Sequence, residues 1–181
     1  RHGAVAALRL FRLQILPASI AKFEKLEELR IWWSDALTSL PPEIGKLSQL
    51  SHFSLHCAGL MAFPPQIGDL QNLKELGLSN CSSLRSLPKE LGKLQNLKCL
   101  KLESCFCMTN LPFEHWGNSN LRELEIRECD GLTRNLSPQI KALSQLETLK
   151  MTECEVEFLP KEIWQLPSIQ SLVIDSTTVP T

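Results

Sequence analysis

Four cysteines recur at nearly equal intervals along this chain, at Cys81, Cys105, Cys129 and Cys154. Thiolates bind zinc and pairs of thiols form disulfides, so a regular set of cysteines first suggests a metal site or a disulfide framework. The chain has seven cysteines in total, an odd number. Metal ligands must converge on one point, whereas equal spacing in a repeating structure places these side chains in a line. We interpret them as structural and predict no metal site.

The other reactive residue types do not combine into a catalytic set. His52 and His56 share one face of a predicted strand, but four residue steps separate them by about 13 Å, too far to bind one ion. Paired carboxylates act as acid and base only in an enclosed site that raises a pKa, and an open groove offers none. The sequence contains no glycine-rich phosphate loop, GxSxG string or HExxH string. We predict that the chain is not an enzyme and needs no cofactor.

A repeat of the form LxxLxL positions these residues. It recurs seven times, at intervals of 23 to 25 residues, and such self-similarity is typical of a solenoid. Residues two apart share one face of a strand, so the last two apolar residues of each string point into one core. The seven strings begin at Leu26, Leu50, Leu73, Leu97, Leu121, Leu146 and Ile169. We predict that each coil contributes one strand to a parallel sheet.

A second string, LPxxI, marks the return segment of the coils. Proline fixes φ and has no N–H, which suits the first turn of a helical segment. Gly45, Gly68 and Gly92 follow this string, where we expect a helical turn to end without the steric cost of a Cβ atom. The strings begin at Leu16, Leu40, Phe63, Leu87 and Leu159. The predicted fold class is an α/β solenoid, a curved horseshoe with a concave parallel sheet and short helical or 3-10 segments on the convex side.

Within this repeat the four regularly spaced cysteines occupy the bend that follows each strand. A small side chain there can turn inward and bond to backbone groups of its own bend. We place Cys57, Cys99 and Cys107 at other positions of the repeat. Because no cysteine cluster closes either end of the solenoid, we expect a reducing, intracellular compartment.

Composition sets further limits. The formal net charge is −1 and the pI is about 6.5, which argues against a surface for nucleic acid or anionic membranes. No apolar run approaches the roughly 20 residues that span a bilayer, and we predict no membrane insertion. No break interrupts the repeat, so we predict a single domain over residues 1–181. Because the chain begins with Arg1 rather than Met, we expect either a fragment of a longer protein with flanking domains or a processed form.

Two coils depart from the pattern. In the first, residues 5–25, VAALRL is followed too soon by LPASI, so either the coil is short or its strand lies elsewhere. Further along, His115 stands where LPxxI has its apolar residue. We expect Trp116 to turn inward as a substitute, and an exposed binding role for Trp116 is the alternative. An extra residue near Leu136 accounts for the longest interval, and we expect a loop to absorb it.

The string LPxxIGxLxxLxxLxLxxC is nearly complete from Phe63 to Cys81 and from Leu87 to Cys105. It resembles the leucine-rich repeats of plant intracellular nucleotide-binding immune receptors. Similar repeats, often with Asn in place of Cys, occur in Ras-pathway scaffold proteins and in host-directed effectors of bacterial pathogens. The resemblance runs from about Leu8 onward and implies the fold. It does not specify a partner, because framework residues recur in proteins with unrelated functions.

Function must then depend on the variable strand positions that face the predicted groove, the third, fifth and seventh of LxxLxLxx. Trp32 is the first candidate, because a groove-facing tryptophan leaves a large ring in water unless a partner covers it. Partial cover by Arg30 or His56 is the alternative. The eighth position borders the groove, where Trp33 can pack against the bend and where we also place Cys57.

The C-terminal half of the groove is rich in glutamate, centred on Glu123 and Glu125. Two interpretations remain: these carboxylates repel one another and receive a basic segment of a partner, or they are merely solvated. The candidate partner-binding residues are Arg30, Trp32, His52, His56, Glu75, Lys101, Glu103, Glu123, Glu125, Arg127 and Lys150.

We therefore predict a non-enzymatic, intracellular module that binds a protein or peptide partner, and no nucleic acid, in its concave groove. The first hypothesis is the repeat region of an innate immune receptor or signalling protein in the cytoplasm. The alternative is the substrate-recruiting domain of a bacterial effector of the ubiquitin-ligase type, acting in a host cytoplasm, with its catalytic domain absent from this chain. A third hypothesis, a structural spacer, predicts that groove substitutions change only stability.

Overall fold

The computed structural model describes residues 5–117, 119–134, 136–157 and 159–176, so both ends of the predicted domain lie outside the described residues. Within these ranges one eight-stranded sheet has its strands in the order of the sequence. All neighbouring strands are parallel. The strands are β1 (Ala7–Phe11), β2 (Glu28–Trp32), β3 (His52–His56), β4 (Glu75–Ser79), β5 (Cys99–Glu103), β6 (Glu123–Arg127), β7 (Thr148–Cys154) and β8 (Ser171–Ser176). The predicted α/β solenoid is confirmed.

The repeat sets the register of the sheet. Leu76 of β4 lies opposite Phe53 of β3 and Leu100 of β5, so the same repeat position recurs along each row. In β4 the side chains of Leu76 and Leu78 are buried while those on either side are half-buried. Because alternate residues of a strand face opposite sides, one side of the sheet forms the core and the other carries the variable residues.

The first coil is short, and its strand lies in the VAALRL string. Strand β1 pairs with β2, with Ala7 opposite Glu28 and Phe11 opposite Trp32. Leu8 and Leu10 are only partly buried, because within the described residues β1 is the first strand and has no coil stacked on its outer side. The exposed positions of β1 therefore extend the variable side of the sheet by one strand.

Short 3-10 helices follow the proline strings, as expected. Pro41 precedes one of them at φ −70°, and Pro42 occupies its first turn, where the missing N–H costs no hydrogen bond. Each 3-10 helix packs on that of the next coil. They span Ala18–Lys22, Pro42–Lys46, Pro65–Asp69, Lys89–Lys93, Phe113–His115, Pro138–Ala142 and Lys161–Gln165.

The predicted reason for the repeated glycines is wrong. None of the described glycines has a positive φ, so these residues do not end a helical turn in the left-handed region. A Cβ atom on Gly92 would lie 2.2 Å from the carbonyl oxygen of His115, and one on Gly45 would lie 2.5 Å from that of Gln66. The glycines are needed because successive coils approach each other closely at their 3-10 helices.

Trp116 fills the gap left by the irregular string at His115. Its side chain is 3% exposed and packs edge-to-face on Phe113, with ring centroids 5.7 Å apart. The expected substitution in the core is confirmed. The 3-10 helix at this point is short, and beside it lies an open cleft of about 620 Å³ lined by Lys89, Lys93, Gln95 and His115.

The extra residue near Leu136 lies in a coil where the bend after β6 becomes one turn of α-helix, α1 (Asp130–Thr133). The hydroxyl of Thr133 donates a hydrogen bond to the carbonyl of Glu155 at 2.8 Å, and the carboxylate of Asp130 accepts one from the amide of Glu155 at 2.8 Å. These bonds tie the bend to the next coil and keep the repeat in register.

Cysteine side chains line the bends as predicted, and the row also includes Cys57, which the sequence analysis placed elsewhere. Cys57 is fully buried, and its carbonyl accepts from the amide of Leu60, as that of Cys81 does from Leu84. The coil of β3 lacks one residue after the strand, so Cys57 takes the inward position one residue early. We call Cys57, Cys81, Cys105, Cys129 and Cys154 the thiol row.

Candidate functional site

The outward side of the sheet, which we call the sheet face, carries every candidate partner-binding residue. Along β2, Arg30 and Trp32 are half-buried while Leu29 and Ile31 between them are buried. The other candidates occupy equivalent positions on β3 to β7 and are half-buried or exposed. Cys57, which the sequence analysis placed beside the groove, is absent from this face because it belongs to the thiol row.

An aromatic cluster lies at the β1 to β3 end of the sheet face. Phe11 stacks on Trp33 with ring centroids 5.8 Å apart and an interplanar angle of 29°. Trp32 contacts both rings edge-on, at 6.0 Å from Phe11 and 6.1 Å from Trp33. His56 meets Trp33 edge-on at 6.4 Å. We call Phe11, Trp32, Trp33 and His56 the aromatic cluster.

Much of this cluster remains open to solvent. Trp33 is 56% exposed and Phe11 is 46% exposed. Trp33 has a left-handed φ of 50° where β2 ends, and its ring lies against Phe11 on the open side of the sheet. Arg30 partly covers Trp32, with the guanidinium carbon 5.6 Å from the ring centroid, as one alternative proposed. An exposed apolar group of this size is typical of interaction surfaces.

A depression of about 350 Å³ opens beside the cluster, lined by Trp32, Trp33, His56 and Ser79. Small residues lie beside it on the sheet: Gly77 lies opposite Ser54, and Ser79 lies opposite His56. The walls are therefore aromatic and the adjoining floor is small and polar. Such a shape suits one bulky apolar side chain.

Phe11, Arg9 and Arg12 are not among the candidates predicted from the sequence. LPASI follows VAALRL too soon for a regular coil, yet VAALRLFR has the same positional pattern as the later strands. Along β1 the outward residues Ala7, Arg9 and Phe11 alternate with Leu8 and Leu10. Applying the repeat positions to residues 5–12 would have placed Phe11 beside Trp32.

Cross-strand ion pairs occupy the C-terminal half of the sheet face. Lys150 Nζ lies 2.5 Å from Glu125 and 3.2 Å from Glu123. Partial burial opposes ionisation of Glu123, but hydrogen bonds from Lys150 and Cys99 outweigh it and lower the pKa of this carboxyl. A hydrogen bond to Glu125 raises the pKa of Lys150. The expected repulsion at the centre of the glutamate group is therefore largely offset within the protein itself.

A second ion-pair group surrounds Arg127. Its guanidinium lies 3.0 Å from Glu103 on one neighbouring strand and 2.9 Å from Glu153 on the other. Glu128 accepts a hydrogen bond from the hydroxyl of Ser104 at 2.7 Å, which lowers the pKa of Glu128. Three carboxylates thus share one guanidinium. This group therefore has a larger excess of negative charge than Lys150 and its two carboxylates.

The centre of the sheet face is polar and has fewer ion pairs than the C-terminal half. Lys101 bonds to Glu75 at 3.0 Å, and this hydrogen bond raises the pKa of Lys101. His52 lies apart from the aromatic cluster, and its Nδ1 is 2.8 Å from the hydroxyl of Ser51. Among the described residues no group of three or more His, Cys, Asp or Glu side chains could hold a metal ion.

Thiols of the thiol row donate hydrogen bonds to backbone carbonyls of their own bends. The thiol of Cys129 donates to the carbonyl of Arg127 at 3.1 Å, and that of Cys154 donates to the carbonyl of Thr152 at 3.2 Å. All seven cysteines are free thiols. Burial raises the pKa of Cys57 to about 12, which keeps that thiol protonated at neutral pH. The predicted inward bonding to the bend backbone is confirmed.

A sheet of stacked parallel strands, each followed by a short helical return, defines a solenoid repeat protein. The family model described as a leucine-rich repeat region matches residues 6–104, more than half of the chain. The chain belongs to the leucine-rich repeat family. A search of curated protein sequences found no match. No helix among the described residues is long and apolar enough to cross a membrane.

Solved structures show the same fold. A leucine-rich repeat protein of Leptospira interrogans is 27% identical with a TM-score of 0.55, over 97% of this chain and 57% of that chain. The leucine-rich repeat domain of the type III effector XopL is 24% identical with a TM-score of 0.52, over 94% and 76%. A chain of the Toll–Spätzle complex of Drosophila is 15% identical with a TM-score of 0.59, over 93% and 26%. The present chain thus spans little more than half of the Leptospira protein.

Proposed function

We propose that this chain is a non-enzymatic recognition domain that binds an extended segment of a partner protein across its sheet face. The aromatic cluster is the observation that carries this proposal. Large rings that stay exposed on a regular surface lose contact with water when a partner covers them, and tryptophan is enriched among residues that dominate binding energy. A mere spacer has no use for such a cluster.

The ion pairs support the same proposal. Lys150 contacts two carboxylates of the preceding strand, and Arg127 lies between carboxylates of both neighbouring strands, so their positions are set before a partner arrives. Pre-organised charged groups add specificity at the rim of an interface while costing little ordering entropy on binding. The face therefore combines an apolar anchor with a patterned polar surface, which suits a protein or peptide better than a small molecule.

The larger protein that we propose is an intracellular innate immune receptor or signalling protein, of which residues 1–181 form a single repeat domain. Two features support this: the LPxxIGxLxxLxxLxLxxC repeats, and the free thiols of the thiol row, which suit a reducing compartment. The alternative, an effector that recruits substrates for a separate catalytic domain, uses the same face. A nucleotide-binding domain before this region supports the receptor, and a catalytic domain after it supports the effector.

Selection from a display library of random peptides tests the binding function. Eight strands at about 4.8 Å per step span about 34 Å, so peptides of about ten residues cover the face. We expect the chain to enrich peptides whose binding is lost in a Trp32→Ala, Trp33→Ala variant. Trp164→Ala is the matched control, because Trp164 is 68% exposed on the 3-10 helix Lys161–Gln165. Peptides that bind all three proteins equally would contradict the proposal.

A further inference from the structure

Charged side chains are sorted by sign along the sheet face. At the β1 and β2 end, Arg9, Arg12 and Arg30 surround the aromatic cluster, and Glu28 is the one carboxylate that faces outward on these strands. Arg30 pairs with Glu28. No described carboxylate forms an ion pair with Arg9 or Arg12, and both side chains are exposed. This end therefore carries two positive charges in excess.

The opposite end has the reverse balance. On β5 to β8 and the residues that follow these strands, the outward cations are Lys101, Arg127 and Lys150, and each already contacts carboxylates of the same face. The outward carboxylates are more numerous: Glu103, Glu123, Glu125, Glu128, Glu153 and Asp175. Negative charge remains in excess after pairing, and it is concentrated around Arg127. The depression beside Trp32 and Ser79 lies between the two ends.

We propose that the occupant of the sheet face is an extended protein segment of ordered charge: a bulky apolar residue fills the depression, acidic residues lie over Arg9 and Arg30, and basic residues lie over Glu103, Glu128 and Glu153. This inference rests on the proposed function and specifies its ligand. Charge complementarity then selects among segments that share the same apolar anchor.

The geometry sets the spacing within that segment. The depression is formed by residues of β2, β3 and β4, so the arginines of β1 and β2 are one or two strand steps away, about 5–10 Å. Counted from the same central strand, β3, the glutamates at or near the ends of β5 to β7 are two to four strand steps away in the other direction, about 10–19 Å. At about 3.3 Å per extended residue, the acidic residues are about two or three positions from the anchor and the basic residues about three to six positions.

Single-stranded nucleic acid is a different class of ligand that arginines and stacked rings can attract. The sheet face disfavours it, because a phosphate backbone that follows the groove must pass the carboxylates around Arg127. Beside the depression, the outward residues of β3 and β4 supply Glu75 and no lysine or arginine. Backbone tracking requires a continuous positive surface, and the outward cations of this face beyond β2 are paired with carboxylates.

Three fluorescein-labelled peptides with one central tryptophan test the proposal: one with Asp and Glu on one side and Lys and Arg on the other, one with acidic residues on both sides, and one with basic residues on both sides. Fluorescence anisotropy measures their affinities. We expect the peptide of ordered charge to bind about five- to tenfold more tightly than either of the others at low salt. This preference should weaken as the salt concentration rises.

Charge reversal on the protein provides the decisive comparison. In an Arg9→Glu, Arg30→Glu variant we expect the all-basic peptide to become the tightest ligand. Lys22→Glu, Lys46→Glu is the matched control, since it makes the same change of net charge on the 3-10 helices Ala18–Lys22 and Pro42–Lys46 and should keep the original order. Melting temperatures establish that the variants are folded.

The outcomes separate the two proposals. Ser79→Phe fills the depression and should weaken all three peptides. If Ser79→Phe does so but the peptides bind equally, or if the arginine variant keeps the original order, the charge order is wrong and the proposed function stands. If no peptide binds more tightly to the wild-type chain than to the Trp32→Ala, Trp33→Ala variant, both are wrong. Tighter binding of single-stranded oligouridine than of any peptide would overturn the choice of a protein ligand.

Discussion

The backbone amide of Cys105 donates a hydrogen bond to Sγ of Cys129, one coil further along, at 3.3 Å. The amide of Cys129 makes the same bond to Cys154 at 3.5 Å. Each thiol also donates to a carbonyl of its own strand. The row of thiols thus supplies acceptors for buried amides that the sheet itself leaves unpaired where each strand ends.

Removing one thiol tests how much the thiol row stabilises the fold. We predict that Cys129→Ala lowers the free energy of unfolding by about 1–3 kcal/mol, because the buried amide of Cys105 loses its acceptor. Cys129→Asn should lose less, since the amide oxygen of asparagine restores an acceptor. Urea unfolding followed by tryptophan fluorescence measures both. Cys107→Ala, at an exposed cysteine, is the control, and equal losses in Cys129→Ala and Cys107→Ala would contradict the prediction.

Thiol reactivity should distinguish Cys107 from the other cysteines. Burial raises the pKa of Cys99 to about 12 and that of Cys57 to about 12, and the rest of the thiol row is buried. A neutral thiol such as Cys57 reacts slowly with disulfide reagents because the thiolate is the nucleophile, and burial keeps the reagent away from the other thiols of the row. At pH 8 we predict rapid labelling of Cys107, and labelling of the others upon unfolding. Mass spectrometry after a short pulse identifies the site, and rapid labelling of Cys57 in the folded protein would refute this.

Lys150 should stabilise the folded protein only within a defined range of pH. A carboxyl with a lowered pKa, such as Glu123, stabilises the fold above its ordinary value of 4.5 and loses this contribution as the pH falls. A lysine with a raised pKa stabilises the fold below 10.5 and loses this contribution as the pH rises. Both contributions are therefore present near pH 7.

We predict that Lys150→Met lowers the melting temperature at pH 7 and that the difference from wild type shrinks as the pH falls from 4.5 to about 2, because Glu123 then loses its charge. Thermal unfolding by circular dichroism across this range measures the effect. Lys141→Met, on the 3-10 helix Pro138–Ala142, serves as the control. A difference that is the same at neutral and at low pH would mean that Lys150 acts through packing of its side chain rather than through charge.

Replacing two glycines by alanine should change the stability of the protein in opposite directions. At Gly77 a Cβ atom would meet Ser54 Oγ at an ordinary 3.5 Å, so Gly77→Ala should stabilise the protein by about 0.5–1 kcal/mol through the lower entropy of the unfolded chain. At Gly92 the Cβ atom would lie 2.2 Å from a carbonyl oxygen, so Gly92→Ala should destabilise it. Urea unfolding of the two variants provides the test, and a change of the same sign in both would show the argument to be wrong.

Much of the fold follows from the sequence, because a solenoid buries the same positions in every coil. The spacing of LxxLxL predicted the strands from β2 onward, their parallel order and which residues face outward. It also predicted that Cys81, Cys105, Cys129 and Cys154 share one row. These features depend on period and side-chain alternation, both of which are local properties that a sequence displays directly.

The ion pairs and ring contacts of the sheet face join residues that are about one coil apart in the sequence. Lys150 reaches Glu123 and Glu125 on the preceding strand, and no local pattern shows whether a glutamate is paired or free. Phe11 joined Trp33 because an irregular first coil still stacks in register. Cys57 moved inward because one residue is missing after β3, and Gly92 is glycine because a neighbouring carbonyl approaches it. Sequence alone determined the row that most side chains occupy, with Cys57 as an exception. Only the tertiary structure decided which side chains touch, because the contacts across coils depend on rotamers, strand-end conformation and the distance between neighbouring coils.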